Sequence, residues 1–278
     1  MGRLRRVDSE LVRRSLARSR THARELIEAG KVRLDGEIVR KPARQMDPAQ
    51  ALLVDEKISE DFVSRGAYKL LGALDYLGEN APIIDGKYCL DAGASTGGFT
   101  DVLLREGAKH VFAVDVGYGQ IAWRLREDPR VSVIERTNVR TLDPVIINPP
   151  AQIVVGDLSF ISLTLVIPAL VGASALDADF LLMVKPQFEI GRERLGAGGV
   201  VRNLDHHFEA VCAVGQAGRA AGLAINAVAP SPLPGPAGNV EYFLYMSRNA
   251  SDDLDLEKAA AQAIADGPAS KNREEQGQ

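Results

Sequence analysis

The apolar positions of this 278-residue chain fall into two rhythms. In the first 46 residues they are sparse and spaced for burial on one side. Leu11, Val12 and Leu16 recur at helical spacing behind Asp8 or Ser9, either of which can cap a first helix. Ser19 can cap a second helix, with Ala23, Leu26 and Ile27 inward and Gly30 just past its end. In "KVRLDGEIV", Val32 and Leu34 alternate with polar residues, Asp35-Gly36 is a two-residue turn, and Ile38 or Val39 resumes the pattern, which predicts a β-hairpin. Residues 47–60 lose the rhythm and read as a last short strand and a linker.

From residue 86 the apolar residues come in dense short runs. "KYCLDAG", "HVFAVDVG", "RVSVIERTNV", "AQIVVGD" and "DADFLLMVKP" read as five buried strands. Helices intervene. One follows "ASTGG", with Phe99, Val102, Leu103 and Leu104 on its apolar side, and a long one covers about 202–222. Another, 64–77, precedes the first strand, with Leu70, Leu71, Leu74 and Leu77 inward and Lys69 near its start. "LAINAVAP" and "VEYFLYMS" are two final strands joined by "SPLPGPAGN". Buried strands alternating with helices predict an α/β fold with a parallel, doubly wound sheet, whose ligands bind beyond the carboxyl ends of its strands.

Charge adds a second asymmetry. Residues 1–46 carry 13 Lys/Arg against 6 Asp/Glu, whereas the whole chain has a formal net charge of −4. A basic head on an acidic body points to a polyanionic partner. No apolar run reaches the ~18 residues of a membrane-spanning helix, and no apolar segment follows the basic N-terminus as in a secretory signal. The expectation is a cytoplasmic protein with no membrane association. Cys89 and Cys212 lie in apolar surroundings and read as buried thiols. His206-His207 are adjacent, so on a helix they point apart and do not share a metal; no metal is expected.

The strand ends carry the candidate chemistry. Asp91 closes the first strand, and "DAGASTGGF" places Gly93 and then Gly97-Gly98 in the turn. This is not the GxGxxG spacing that receives a pyrophosphate. Asp115 closes the next strand, where an acid can take a ribose hydroxyl pair. A strand-end acid before a glycine turn, plus a second acid for ribose, favours S-adenosylmethionine over a dinucleotide. Gly93, Ser95, Thr96, Gly97 and Gly98 are candidates around the methionine moiety, and Asn138 and Val139 near adenine. Asp157 ends the fourth strand and Lys185 the fifth. Glu241 begins the last, antiparallel strand, and so returns to the same edge.

Two resemblances sharpen this reading. "LARSRTHARELIEAGKVRLDG" resembles the alpha-L RNA-binding motif of a small-subunit ribosomal protein and several RNA-modifying enzymes, which implies binding of structured RNA through phosphates and helix shape. Arg13, Arg14, Arg18, Arg20, Arg24, Lys31 and Arg65 are the RNA-binding candidates. Lys69, Asp157, Lys185 and Glu241 look like the Lys-Asp-Lys-Glu tetrad of FtsJ-type RNA 2′-O-ribose methyltransferases. "VSRGAYKL", "CLDAGASTGGFTD", "DVGYGQ", "DLSFISL", "VKPQFE" and "SPLPGPAGNVEYFL" resemble the TlyA-type rRNA methyltransferases, also labelled haemolysins. The resemblance spans about residues 3–248 and implies a Rossmann-like class I methyltransferase sheet behind a small α+β RNA-binding domain. It also implies S-adenosylmethionine as cofactor, bound in part by Asp157, and 2′-O-methylation of cytidines of 16S and 23S ribosomal RNA in both ribosomal subunits. The expected organisation is an RNA-binding domain over 1–60, a linker over 61–64, a methyltransferase domain over 65–248 and a polar tail over 249–278.

Two chemical alternatives stay open for Lys185. It is either a neutral base for the 2′-hydroxyl or a charged group that orients the developing oxyanion. Three rival readings are weighed. A non-enzymatic RNA-binding protein needs the basic head but not four convergent charges. A pore-forming haemolysin needs a signal or insertion segment. An amino-group methyltransferase would use Asn148-Pro149-Pro150, but this triplet precedes the fourth strand, at the wrong edge, and Ala151 replaces the aromatic residue such a loop carries.

Overall fold

A computed structural model describes residues 5–268 except 15, 18, 29, 48–49, 55–61 and 236. The chain forms two compact units, Met1–Asp61 and Phe62–Gln278.

The first unit holds β1 (Arg5–Arg6), α1 (Val7–Arg13), α2 (Arg20–Glu28), β2 (Val32–Leu34), β3 (Glu37–Ile38), β4 (Gln45–Met46) and β5 (Leu52–Val54). Strands β3, β2 and β5 form one small sheet and β1 pairs with β4. The hairpin turns at Asp35-Gly36, both with positive φ, the backbone that an Asp-Gly turn supplies. Val39, rather than Ile38, enters the core. Ser19 Oγ accepts from the His22 amide and caps α2 as expected. The first helix differs. It begins at Val7, and neither Asp8 nor Ser9 caps it. The amides of Val7 and Asp8 donate to Arg44 and Pro42 carbonyls, so the helix end is satisfied by backbone and the Asp8 carboxylate turns inward.

The second unit is a seven-stranded sheet. Its elements are α3 (Ala67–Leu77), β6 (Tyr88–Ala92), α4 (Gly98–Arg105), β7 (His110–Val114), α5 (Trp123–Arg126), β8 (Val131–Ile134), β9 (Ala151–Gly156), α6 (Ile167–Gly172), β10 (Ser174–Val184), α7 (Pro186–Glu189), α8 (Leu204–Ala220), β11 (Ala224–Pro230), β12 (Tyr242–Ser247) and α9 (Leu256–Asp266). The strand order is β11-β12-β10-β9-β6-β7-β8, with β12 antiparallel to both neighbours. Alternate residues feed opposite layers, as strand geometry requires. Val111, Ala113, Leu181 and Met183 join α3 and α4, while Phe112, Val114, Phe180 and Leu182 join α6, α8 and α9. Burial on both faces explains why these strands read as unbroken apolar runs.

Two boundaries need correction. Residues Phe62–Ser64, expected as linker, belong to the second unit. There the Val63 amide donates to Asp101 Oδ2 at 2.9 Å, and the Arg105 guanidinium lies 4.1 Å from the Phe62 ring centroid. Residues 249–278 are not simply a polar tail. Within them α9 is capped by the Asp255 side chain and buries Leu256, Ala260, Ala263 and Ile264 in the sheet's core. Three of those four are small or sit between charged residues, so the segment's mean hydropathy hides the i, i+4, i+7, i+8 stripe. Residues 269–278 lie outside the described part.

Candidate active site

The sheet reverses its order at β6. Strands β7 and β8 are added on one side of it, β9 and β10 on the other. The crevice beyond the carboxyl ends of β6 and β9 is therefore the expected ligand position. Asp91 and the glycine turn lie at the end of β6, and Asp157 follows β9. The backbones meet closely here. A Cβ on Gly93, which has φ +86°, would sit 2.9 Å from the Asp157 carbonyl oxygen and 3.0 Å from Leu158 Cδ2. No other residue type fits that turn.

The tetrad assembles as two ion pairs. Val184 on β10 stands opposite Tyr242 on β12, so Lys185 and Glu241 emerge from neighbouring strands at one edge. Lys69 reaches in from the first turn of α3. Its Nζ lies 2.5 Å from Glu241 Oε2, with both side chains almost fully buried. Lys185 Nζ lies 2.6 Å from Asp157 Oδ1 and donates to Ser159 Oγ at 2.9 Å. Three cavities meet here. One of about 250 Å³ is lined by Lys69, Asp91, Gly93, Ser95, Thr96, Gly98, Asp157 and Lys185, with Arg65 at its border. A second of about 530 Å³ runs past Asp115, Asn138 and Val139. The third, about 1010 Å³, opens on the other side of Lys185 and Glu241.

Asp91 is fully buried. Its Oδ2 accepts from Thr100 Oγ1 at 2.7 Å, but Oδ1 has no hydrogen-bond partner among the described residues. Burial drives its carboxyl up to about 7, helped by the charges of Asp157 and Asp115 and opposed by the Thr100 bond. Asp115 has a structural duty that the sequence did not reveal. Its two oxygens accept from the amides of Ser95, at 2.7 Å, and Gly117, at 2.6 Å, tying the glycine turn to the next strand's loop. The Asn138 side chain accepts from the Arg140 amide at 3.0 Å, and Val139 is buried. Gly97, a cofactor candidate, lines none of these cavities; a Cβ there would strike Leu125.

Sequence reasoning missed several lining residues. Ser159 borders all three cavities. Phe160 is 91% exposed beside the largest one and faces Phe188 at 5.2 Å between ring centroids. All three lie in the strings "DLSFISL" and "VKPQFE"; the available signal was their position just past strand ends, not their type. Asn239 is a second omission. Its side chain accepts from the Val201 amide and donates to the Gly199 carbonyl, which staples two loops over Glu241.

The remaining candidates are placed as follows. Asn148–Pro150 precede β9 at the far edge, away from the cavities. His207 is buried between the Val201 carbonyl and the Tyr242 hydroxyl, and both cysteines are buried. In the first unit, Arg24 is exposed and Lys31 half-buried, Arg13, Arg14 and Arg20 engage buried carboxylates, and Arg18 lies outside the described residues. Arg65, in the second unit, is exposed and donates to the Pro234 carbonyl at 3.4 Å. Among the described residues no His, Cys, Asp and Glu group is placed to hold a metal, and no helix is long and apolar enough to cross a membrane.

Residues 62–248 match the family model described as FtsJ-like methyltransferase, and residues 5–50 match the S4 domain. The chain thus belongs to the FtsJ-like methyltransferases and carries an S4 domain ahead of the catalytic fold. A Mycobacterium tuberculosis protein named 16S/23S rRNA (cytidine-2'-O)-methyltransferase TlyA is 53% identical over 96% of this chain and 100% of its own. A Bacillus subtilis protein described as a candidate rRNA methyltransferase, YqxC, is 39% identical over 87% of this chain and 85% of its own. A solved structure of a candidate hemolysin from Streptococcus thermophilus aligns with a TM-score of 0.71 at 35% identity, covering 98% of either chain. Within the FtsJ-like methyltransferases, the chain is a member of the TlyA family.

Proposed function

We propose that this protein transfers a methyl group from S-adenosylmethionine to the ribose 2′-oxygen of cytidines in 16S and 23S ribosomal RNA, acting on ribosomal particles in the cytoplasm. The observation that carries this reading is the placement of Lys185. Its Nζ is held by Asp157 and Ser159, and its side chain lines both the 250 Å³ cavity and the largest one.

The smaller cavities suit the cofactor. The buried, unpartnered Asp91 Oδ1 is an acceptor waiting for a donor, and S-adenosylmethionine offers an ammonium group. Gly93 lets the backbone approach closely, Asp115 keeps lone pairs for ribose hydroxyls, and Asn138 and Val139 border the second cavity's far wall. When bound, S-adenosylmethionine supplies the methyl group.

The chain's own residues do the rest. An ammonium has three N–H donors. Ser159 Oγ accepts one of them and the Asp157 carboxylate balances the charge, which leaves N–H donors available to the 2′-oxygen. This supports the charged, orienting role over the neutral base, since a fixed donor stabilises charge that develops on that oxygen. Lys69 and Glu241 neutralise each other and close the buried edge against water. Holding the oxygen in line with the methyl group supplies much of the acceleration. Phosphates of the RNA are taken by Arg13, Arg14, Arg18, Arg20, Arg24 and Lys31 in the first unit and by Arg65 in the second.

The test is transfer of labelled methyl from S-adenosylmethionine to purified 30S, 50S and 70S particles, followed by nucleoside analysis. The expected product is 2′-O-methylcytidine. Methyl on a base nitrogen, or no transfer to any particle, would overturn the proposal.

A further inference from the structure

The first unit buries two carboxylates beneath its arginines. Asp8 and Glu10 both have fully buried side chains. Arg6 grips Asp8 with Nε at 3.0 Å and Nη2 at 2.8 Å, and Arg20 Nη2 reaches it at 3.3 Å. Arg13 grips Glu10 with Nε at 2.8 Å and Nη2 at 2.6 Å. Arg14 Nε approaches the same carboxylate at 2.9 Å and Arg5 Nη1 at 3.4 Å. The acids are hidden, yet the guanidinium groups of Arg5, Arg13 and Arg20 that cover them remain open. Side-chain exposure is 48% for Arg5, 53% for Arg13 and 58% for Arg20.

A guanidinium that uses Nε and one Nη on a carboxylate keeps its other edge for a second partner. Left alone, the arginines that share an acid would repel and splay, and each would lose rotamer freedom on meeting a ligand. Each buried acid does the opposite. It draws its arginines together and fixes their outward edges in advance. The charges that remain uncompensated are positive.

We propose that Asp8 and Glu10 are positioning residues that organise two arginine groups, Arg6 with Arg20 on Asp8 and Arg5 with Arg13 on Glu10, into rigid phosphate-binding positions for structured RNA. This rests on the RNA-binding reading above and extends the surface to Arg5 and Arg6. It carries an unusual sign. Removing a negative charge from a module that binds a polyanion ordinarily tightens binding and steepens its salt dependence. Here Glu10→Gln weakens binding, by roughly tenfold, because the preorganised fork is lost. The slope of affinity against salt becomes shallower, since fewer phosphates are met in register.

The experiment uses the full-length protein and transcribed 23S ribosomal RNA as probe, with affinity measured across a salt series. Wild type, Glu10→Gln, Arg13→Lys and the double variant Arg13→Ala/Arg20→Ala are compared, and unfolding of each is followed by circular dichroism. Weaker binding and a shallower slope for Glu10→Gln, with folding retained, bear the proposal out. Equal or tighter binding overturns it. If Glu10→Gln fails to fold, Arg13→Lys decides: it keeps the charge at a half-exposed position but cannot make the fork, so undiminished affinity overturns the proposal. Loss of binding in the Arg13→Ala/Arg20→Ala variant keeps the RNA-binding reading whatever Glu10→Gln does. Unchanged binding there removes that reading itself.

Discussion

At the scale of single residues, the chemistry depends on what is buried with what. Lys69, Lys185 and Glu241 are 4%, 7% and 1% exposed, and each charge has an opposite charge within reach. Among the described residues Asp91 has no ion pair and one of its buried oxygens has no hydrogen-bond partner, and burial pushes its carboxyl up to about 7. The folded chain therefore keeps a proton on Asp91 up to a higher pH than the unfolded chain does. Ionisation in the window from about 4, the ordinary range, to about 7 favours unfolding, so this residue's contribution to stability falls as pH rises through that window. Asp91→Asn has no such ionisation. Relative to wild type without cofactor, its unfolding free energy should improve from pH 5 to pH 8, by an amount on the order of 1–3 kcal/mol. A difference that does not change with pH, measured by thermal unfolding in matched buffers, would contradict this origin of the shift.

At the scale of elements, legibility followed the strength of periodic signals. The five parallel strands were readable because burial on both faces leaves them uniformly apolar, and α2 because Ser19 and Gly30 mark both of its ends. The α1 start was misread because its amides are met by Pro42 and Arg44 carbonyls, which no local pattern announces. Three members of the tetrad were visible through strand direction, since Asp157 and Lys185 end parallel strands and Glu241 begins the antiparallel one, while Lys69 was singled out on its helix and by the resemblance. Ser159 and Phe160 were legible only by their place just past a strand end, and Asn239 was not visible, since it acts where two loops meet in space. The helix α9 was hidden by its alanines. It nevertheless packs on α8 and β11. Leu256→Ala, at a site 4% exposed, should lower the unfolding free energy by about 2–4 kcal/mol in denaturant titration. A change below about 0.5 kcal/mol would mean that the helix contributes little to the core.

At the scale of the whole molecule, the proposed function gives most of the RNA binding to one unit and the chemistry to the other. Each has its own core: residues 7–52 supply the buried positions of one cluster, and residues 67–264 those of the other two. The second unit therefore has the apolar burial it needs to fold alone. Deleting residues 1–60 should leave S-adenosylmethionine affinity within about threefold by calorimetry while methylation of ribosomal particles falls at least roughly a hundredfold. Equal methylation by the truncated chain would show that RNA is held by the catalytic unit alone.

The central claim is that Lys185, fixed by Asp157 and Ser159, handles the 2′-oxygen during transfer. Lys185→Ala tests it most directly when methyl transfer to ribosomal particles under single-turnover conditions and the S-adenosylmethionine dissociation constant are measured on the same preparation. The expected result is transfer reduced by about three orders of magnitude or more, with cofactor affinity changed by less than about threefold. Near-normal transfer by Lys185→Ala would contradict the account.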